Sequence, residues 1–310
     1  MISLRRHVLT LAAVFLALAV GVVLGSTSVA SSIRDAVVDD EETTAARLDS
    51  AQDELARQRM VAERLDGMAG QLAPSVLDDV LDGRPVLVVV APGADGEDVD
   101  AVVDTVHEAG AVDAGRVTLT DRAVDPEADA EIQALVANLP IGTAPAADAD
   151  LGTQLGTALG RAALLRTEDA EPHLPDGDRD TVLTTLADSG VISFESGTIR
   201  PGQLALVVTG PGEDESTAAR LASLSRTLDS EGAGAVVASH HPAGQATVQD
   251  AVTSLRSTGG DEVSTVDNLG TEAGRLAAGL ALAEQLDRGQ GHYGVRPDAG
   301  AAVPILPASR

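Results

Sequence analysis

The chain has 310 residues and a formal charge of −27, and all 21 of its basic residues are arginine. A surface this acidic repels the phosphates of nucleic acids and excludes a nucleic-acid partner. With no cysteine and only Phe15, Phe194 and Tyr293 as aromatics, disulfides, thiolate metal sites, thiol catalysis and aromatic ligand platforms are excluded, and the core must come from Val, Leu, Ile and Ala.

Arg5, Arg6 and His7 precede an apolar run at residues 8–24, interrupted only by Thr10 and Gly21. As a helix it spans about 25 Å, and residues 25–29 extend it to a bilayer crossing. Arginines on one side and the acidic run Asp39-Asp40-Glu41-Glu42 on the other put the N-terminus in the cytoplasm and the mass of the chain outside the membrane. Residues 1–30 are thus read as a cytoplasmic stub and transmembrane anchor. Ser28-Val29-Ala30 has the form of a signal-peptide cleavage site, so a cleaved leader stands as the alternative, and both readings export the remainder.

Residues 31–73 read as a stalk. Leu48, Leu55, Ala62 and Ala69 form one seven-residue series, and Ala51, Gln58, Leu65 and Leu72 form a second, offset by three. This is the seam of a coiled coil, flanked by Arg57, Arg64, Glu54 and Glu63, and it predicts a parallel homodimer. The same spacing also suits one amphipathic helix packed on its own domain. Met60 and Met68, eight apart, read as helix packing, since two thioethers do not make a metal relay.

Residues 74–290 alternate short apolar strands with amphipathic helices. Strands are predicted at 86–91, 117–119, 204–209, 235–239 and 263–266. Helices are predicted at 97–109, around Ile132–Leu139, at 213–230, 247–256 and 271–288, with another from Leu151 within the Gly- and Asp-rich stretch 148–179. Uninterrupted strands such as Val86 to Val90 are those of a sheet buried on both faces, so the expectation is an α/β, Rossmann-like domain with a mainly parallel sheet. The sequences at 87–93 and 206–212 share a pattern of apolar strand, Pro-Gly turn and acidic helix start, which is open to a duplication of two units, 84–140 and 203–290. Residues 291–310 are left as a tail.

Neither strand–turn–helix junction carries a three-glycine fingerprint or a phosphate-loop lysine, and acids such as Glu97, Asp98, Glu213 and Asp214 stand where a phosphate would bind. His107-Glu108 lacks the second histidine of a zinc-protease helix, because position 111 is alanine. No nucleophile–base pair can be named, so the chain is expected not to be an enzyme and to require no cofactor. The candidate metal ligands are His240 and His241, which follow Ser239 at a predicted strand end. Adjacent side chains on an extended strand point opposite ways, so the competing reading has Ser239 capping the next turn and both imidazoles in water.

Three blocks carry a family resemblance. Ile2-Ser3-Leu4-Arg5-x-His7, residues 13–18 and Gly21-x-x-Leu24-Gly25-Ser26 form the first. Ser264-Thr265-Val266-Asp267-Asn268, Gly274-Arg275, residues 280–286 and Gly291-x-Tyr293-Gly294 form the second. Residues 86–94 with Gly190-Val191-Ile192-Ser193 form the third. The chain resembles the MctB family of actinobacterial copper transporters over nearly its whole length. The resemblance implies an envelope protein with a role in copper efflux or homeostasis, with a copper ion as the metal concerned and pore formation described for members. Corynebacterial relatives imply an alternative, a dimeric scaffold that binds a septal protein controlling peptidoglycan hydrolases. The pore fits the residues badly, because short continuous strands between helices, with two aromatics outside the apolar run, lack the alternation and girdles of a membrane barrel.

Overall fold

Strand β1 (Pro85–Val90) is apolar along its whole length and is the third strand in a seven-stranded sheet. The computed structural model describes residues 47–146, 148–240, 249–259 and 263–306. The apolar run at 8–24 and the first part of the stalk therefore lie outside the described residues. Among the described residues no helix is long and apolar enough to cross a membrane.

The other strands are β2 (Val112–Leu119), β3 (Ile192–Phe194), β4 (Leu204–Thr209), β5 (Ala235–Ser239), β6 (Ser264–Val266) and β7 (His292–Tyr293). Their order is β3-β2-β1-β4-β5-β6-β7, parallel throughout except for β3, which runs antiparallel to β2. The expectation of a mainly parallel α/β sheet is borne out. The two similar openings form the central pair, with Val86 opposite Leu204 and Val90 opposite Val208.

Period-two alternation divides the core in two. Leu87, Val89, Val207 and Val237 face one way, against α4 (Asp129–Val136), α5 (Leu151–Ala163), α6 (Asp176–Asp188), α7 (Glu215–Glu231) and α8 (Ala251–Ser257). Val86, Val88, Leu206 and Val236 face the other, against α2 (Gly96–Glu108) and α9 (Glu272–Leu286). A short helix, α3 (Asp121–Val124), follows β2.

Residues 47–76 form one helix, α1, which runs through Pro74 rather than ending there. Contacts divide the chain between Arg64 and Leu65. In the second unit, Ala73 and Leu77 are buried in the core, and Asp66 Oδ1 accepts from the amide of Ala273 at 3.1 Å in the first turn of α9. That carboxylate satisfies an amide that has no partner within its own helix and complements the helix dipole. Leu65, Met68, Leu72 and Val76 remain exposed.

The short helix α3 was not foreseen, and neither were α6, β3 and β7. α6 lies in a stretch read partly as loop, and it starts on Asp176-Gly177-Asp178 with little apolar periodicity. Strands β3 and β7, three and two residues long, are defined by their neighbours rather than by their own pattern.

Helices α5 and α7 pack against each other, and Gly152, Gly156 and Gly160, four apart, let their backbones approach closely. A side-chain carbon at Gly156 would lie 2.7 Å from Thr227 Cβ and 2.8 Å from the Leu224 carbonyl oxygen. At an open helical position, Gly→Ala gains about 0.5–1 kcal/mol. At Gly156 the overlap involves backbone and outweighs that gain. Gly156→Ala is expected to destabilise by about 1–3 kcal/mol. Gly177→Ala in α6, with nothing within 4 Å, is expected to be neutral or stabilising. Denaturant unfolding of the two variants distinguishes them.

Candidate functional site

In a doubly wound sheet the ligand crevice lies beyond the carboxyl ends of the strands where their order reverses, here between β1 and β4. The chain closes that crevice itself. The loops after the two strands touch, so that a side-chain carbon at Gly210 would overlap the carbonyl of Gly93. The helix starts beyond are also occupied. Asp95 Oδ1 accepts from the amide of Glu97 at 2.8 Å, and Asp214 Oδ1 accepts from those of Ser216 and Thr217 at 2.9 and 3.0 Å. The Ser216 hydroxyl and the Thr217 amide and hydroxyl hold the Asp214 carboxyl well below the usual range. The anion position at each helix start is taken by the protein's own carboxylate.

Polar side chains gather instead at the ends of β5 and β6, and strand alternation divides them between the two faces. On the face of α2 and α9, His240 Nδ1 lies 2.7 Å from Asp98 Oδ2. The Asp98 side chain is 14% exposed and that of His240 42%. A carboxylate can only accept, so Nδ1 carries a proton, and in the neutral ring the lone pair is then on Nε2, the tautomer in which a histidine binds metal. Gly270 permits the arrangement, since any side chain there would occupy the space of the imidazole. His241 lies outside the described residues. Among the described residues no three His, Asp or Glu side chains converge to hold an ion.

On the opposite face Ser239 is fully buried and its hydroxyl donates to Asp250 Oδ2 at 3.0 Å. Asp250 is the N-cap of α8, with Oδ1 accepting from the Thr253 amide at 2.8 Å. Ser239 thus acts on the next helix through Asp250. Arg296 grips Asp250 with both terminal nitrogens, one at 3.0 Å from Oδ1 and the other on Oδ2, and also donates to Thr253 Oγ1 at 2.9 Å. Burial pushes the Asp250 carboxyl up, but Arg296 and the Thr253 amide outweigh it and hold the pKa below the ordinary value. Behind this pair Arg256 Nη1 donates to Asp267 Oδ2 at 2.8 Å, with side-chain exposures of 3% and 0%. The amide of Val295 donates to Asp267 Oδ1, also at 2.8 Å.

Glu213, in the loop after β4, accepts from the amide of Ala251 through Oε2 at 2.9 Å. Among the described residues its Oε1 and the hydroxyl of Thr209 are buried without a partner. Burial, with the Asp250 charge second, pushes the Glu213 carboxyl up to about 8.

Similarity to known proteins supplies what this geometry leaves open. A family model described as "Copper transport outer membrane protein, MctB" matches residues 1–304. The chain belongs to the MctB family. The Mycobacterium leprae protein named copper transporter MctB is 34% identical over 308 residues, covering 95% of this chain and 96% of that one. The Mycobacterium tuberculosis protein of the same name is 32% identical over 305 residues, with 95% and 96% covered.

Within this family member, the sequence pointed to His240 at a strand end but not to Asp98 as its partner, 142 positions earlier. Asp250, Arg256, Asp267 and Arg296 were missed altogether. The one local signal was Asp250 ahead of a short apolar helix, the pattern of an N-cap. Removing one partner of a buried pair leaves a charge uncompensated, at a cost of about 3–5 kcal/mol. Arg296→Ala is expected to lose that much in denaturant unfolding. Arg296→Met combined with Asp250→Leu is expected to lose less than the single change.

Proposed function

We propose that the chain is a membrane-anchored envelope protein working in copper efflux and copper tolerance, without enzymatic activity. Residues 8–24 form the anchor, the N-terminus is cytoplasmic, and the α/β unit lies outside the membrane. The observation that carries this reading is the similarity, over almost the full length, to proteins named copper transporters. The α/β unit supports a contact role rather than conduction. Its sheet is open, runs from β3 to β7 and is covered by helices on both faces, which leaves no lumen between strands. Copper in this reading is cargo, met by His240 through Nε2, with His241 beside it in sequence, and no cofactor is required. Asp98 supports that role by fixing the tautomer.

Deleting the gene is expected to raise cell-associated copper and copper sensitivity. The wild-type chain restores tolerance and His240→Ala restores it several-fold less well, while a C-terminal reporter is active only outside the cytosol. Unchanged copper sensitivity on deletion, with no binding of Cu(I) or Cu(II) to the full chain, sinks the reading.

One observation favours a second reading, a dimeric scaffold that holds another envelope or septal protein. The larger seam residues Leu48, Leu55, Leu65 and Leu72 are each between 46% and 58% exposed. Four leucines at heptad spacing on one helix suit a parallel partner helix, and a shared membrane raises the local concentration that pairs them. Leu65→Cys is expected to cross-link to a second copy under oxidation in membranes, and Leu65→Asp with Leu72→Asp to abolish association. A chain that stays monomeric in membranes contradicts the dimer.

A further inference from the structure

Glu213 sits one residue before the cap of α7, in the loop that joins β4 to that helix. Its single hydrogen bond among the described residues runs sideways, from the amide of Ala251 at the first position of α8, so the carboxyl ties the two elements together. The charges around it can be assigned element by element. On its own loop, Asp214 is exposed and engaged with Ser216 and Thr217. On α8, Asp250 stands next to Ala251, and Arg256 is committed to Asp267 and Asp298. From the C-terminal segment, Arg296 is committed to Asp250. Each nearby guanidinium already has a carboxylate. Among the described residues ionised Glu213 would therefore carry a charge with no counterion, beside a second carboxylate and with Oε1 shut away from water. Neutral Glu213 carries no such penalty.

We propose that Glu213 is a proton-operated latch that, protonated, docks the β4–α7 loop on the start of α8 and, ionised, withdraws to water and frees that end of the helix. The direction in pH follows from linkage. A carboxyl whose folded pKa is raised binds its proton more tightly when docked. Docking is therefore strongest below the unfolded value of 4.5 and weakens as pH rises towards about 8, above which the loss is complete. Asp250 works in the opposite sense. Its depressed pKa contributes stability at neutral pH that is lost on acidification. The same few residues thus hold one carboxylate that must stay charged and one carboxyl that must stay neutral. The latch stands whether or not the chain handles copper, because neither His240 nor the stalk enters the argument.

Hydrogen exchange of the full chain in detergent micelles, corrected for intrinsic rates, tests it at pH 6 to 9. Protection of the amides at 251–255 is expected to fall about tenfold per pH unit in the wild type between pH 6 and 8 and to level off above that, since docking is lost as pH rises through the folded pKa. Glu213→Gln keeps an acceptor for Ala251 and has no proton to lose, so its protection is expected to stay level. Identical profiles for the two proteins overturn the proposal. Restoration of wild-type protection at pH 9 by millimolar calcium or copper also overturns it, because a metal ion rather than a proton would then be the closing charge. Should Glu213→Gln fold poorly, carboxyl carbon resonances of the wild type labelled at glutamate decide the matter. One glutamate titrating near pH 8 supports the latch, and all titrating near 4.5 refute it.

Discussion

Charge buried at the carboxyl edge of the sheet governs the architecture around it. Asp250 and Asp267 are both inaccessible to solvent, and an isolated carboxylate in such a place would be neutralised or expelled. Two arginines make the arrangement stable, Arg256 from α8 and Arg296 from beyond β7. Because these guanidiniums come from distant parts of the chain, the ion pairs also set geometry. They hold the segment after β7 against β5 and β6, and they position the first turn of α8.

The same edge explains why the chain has a Rossmann-like sheet without the corresponding ligand site. The crevice between β1 and β4 is closed by the backbone contact of Gly93 and Gly210, and both helix starts have carboxylate caps. What remains accessible is the end of β5. There one strand residue, Ser239, turns inward to the ion pairs, and the next, His240, turns towards α2 and water. A period of two, applied at a strand end, separates a structural role from a candidate binding role in adjacent residues.

The parallel sheet and its main helices were legible because they rest on local signals. Runs of Val and Leu gave β1, β4 and β5, and the stripes of α2, α7 and α9 gave the covering layers. Asp95, Asp214 and Asp250 mark helix starts by a side-chain chemistry that acts over two or three residues. The pairs that build the site were not legible, since Asp98 meets His240 and Asp250 meets Arg296 only after the sheet has brought β1, β5 and β7 into order. β7 shows the same limit. Its two residues have no strand pattern of their own and gain one by lying beside Thr265 and Val266.

Arg296 follows Asp250 by 46 residues, and that separation bears on biosynthesis. Protein is made from the N-terminus, so Asp250 and Asp267 emerge well before the guanidinium that neutralises the first of them. Until Arg296 has been delivered, β5 and β6 cannot bury their polar ends without an unmatched charge. The nascent polypeptide acquires its finished edge only once Arg296 has joined Asp250. A stop codon before position 296 would leave Asp250 without its guanidinium.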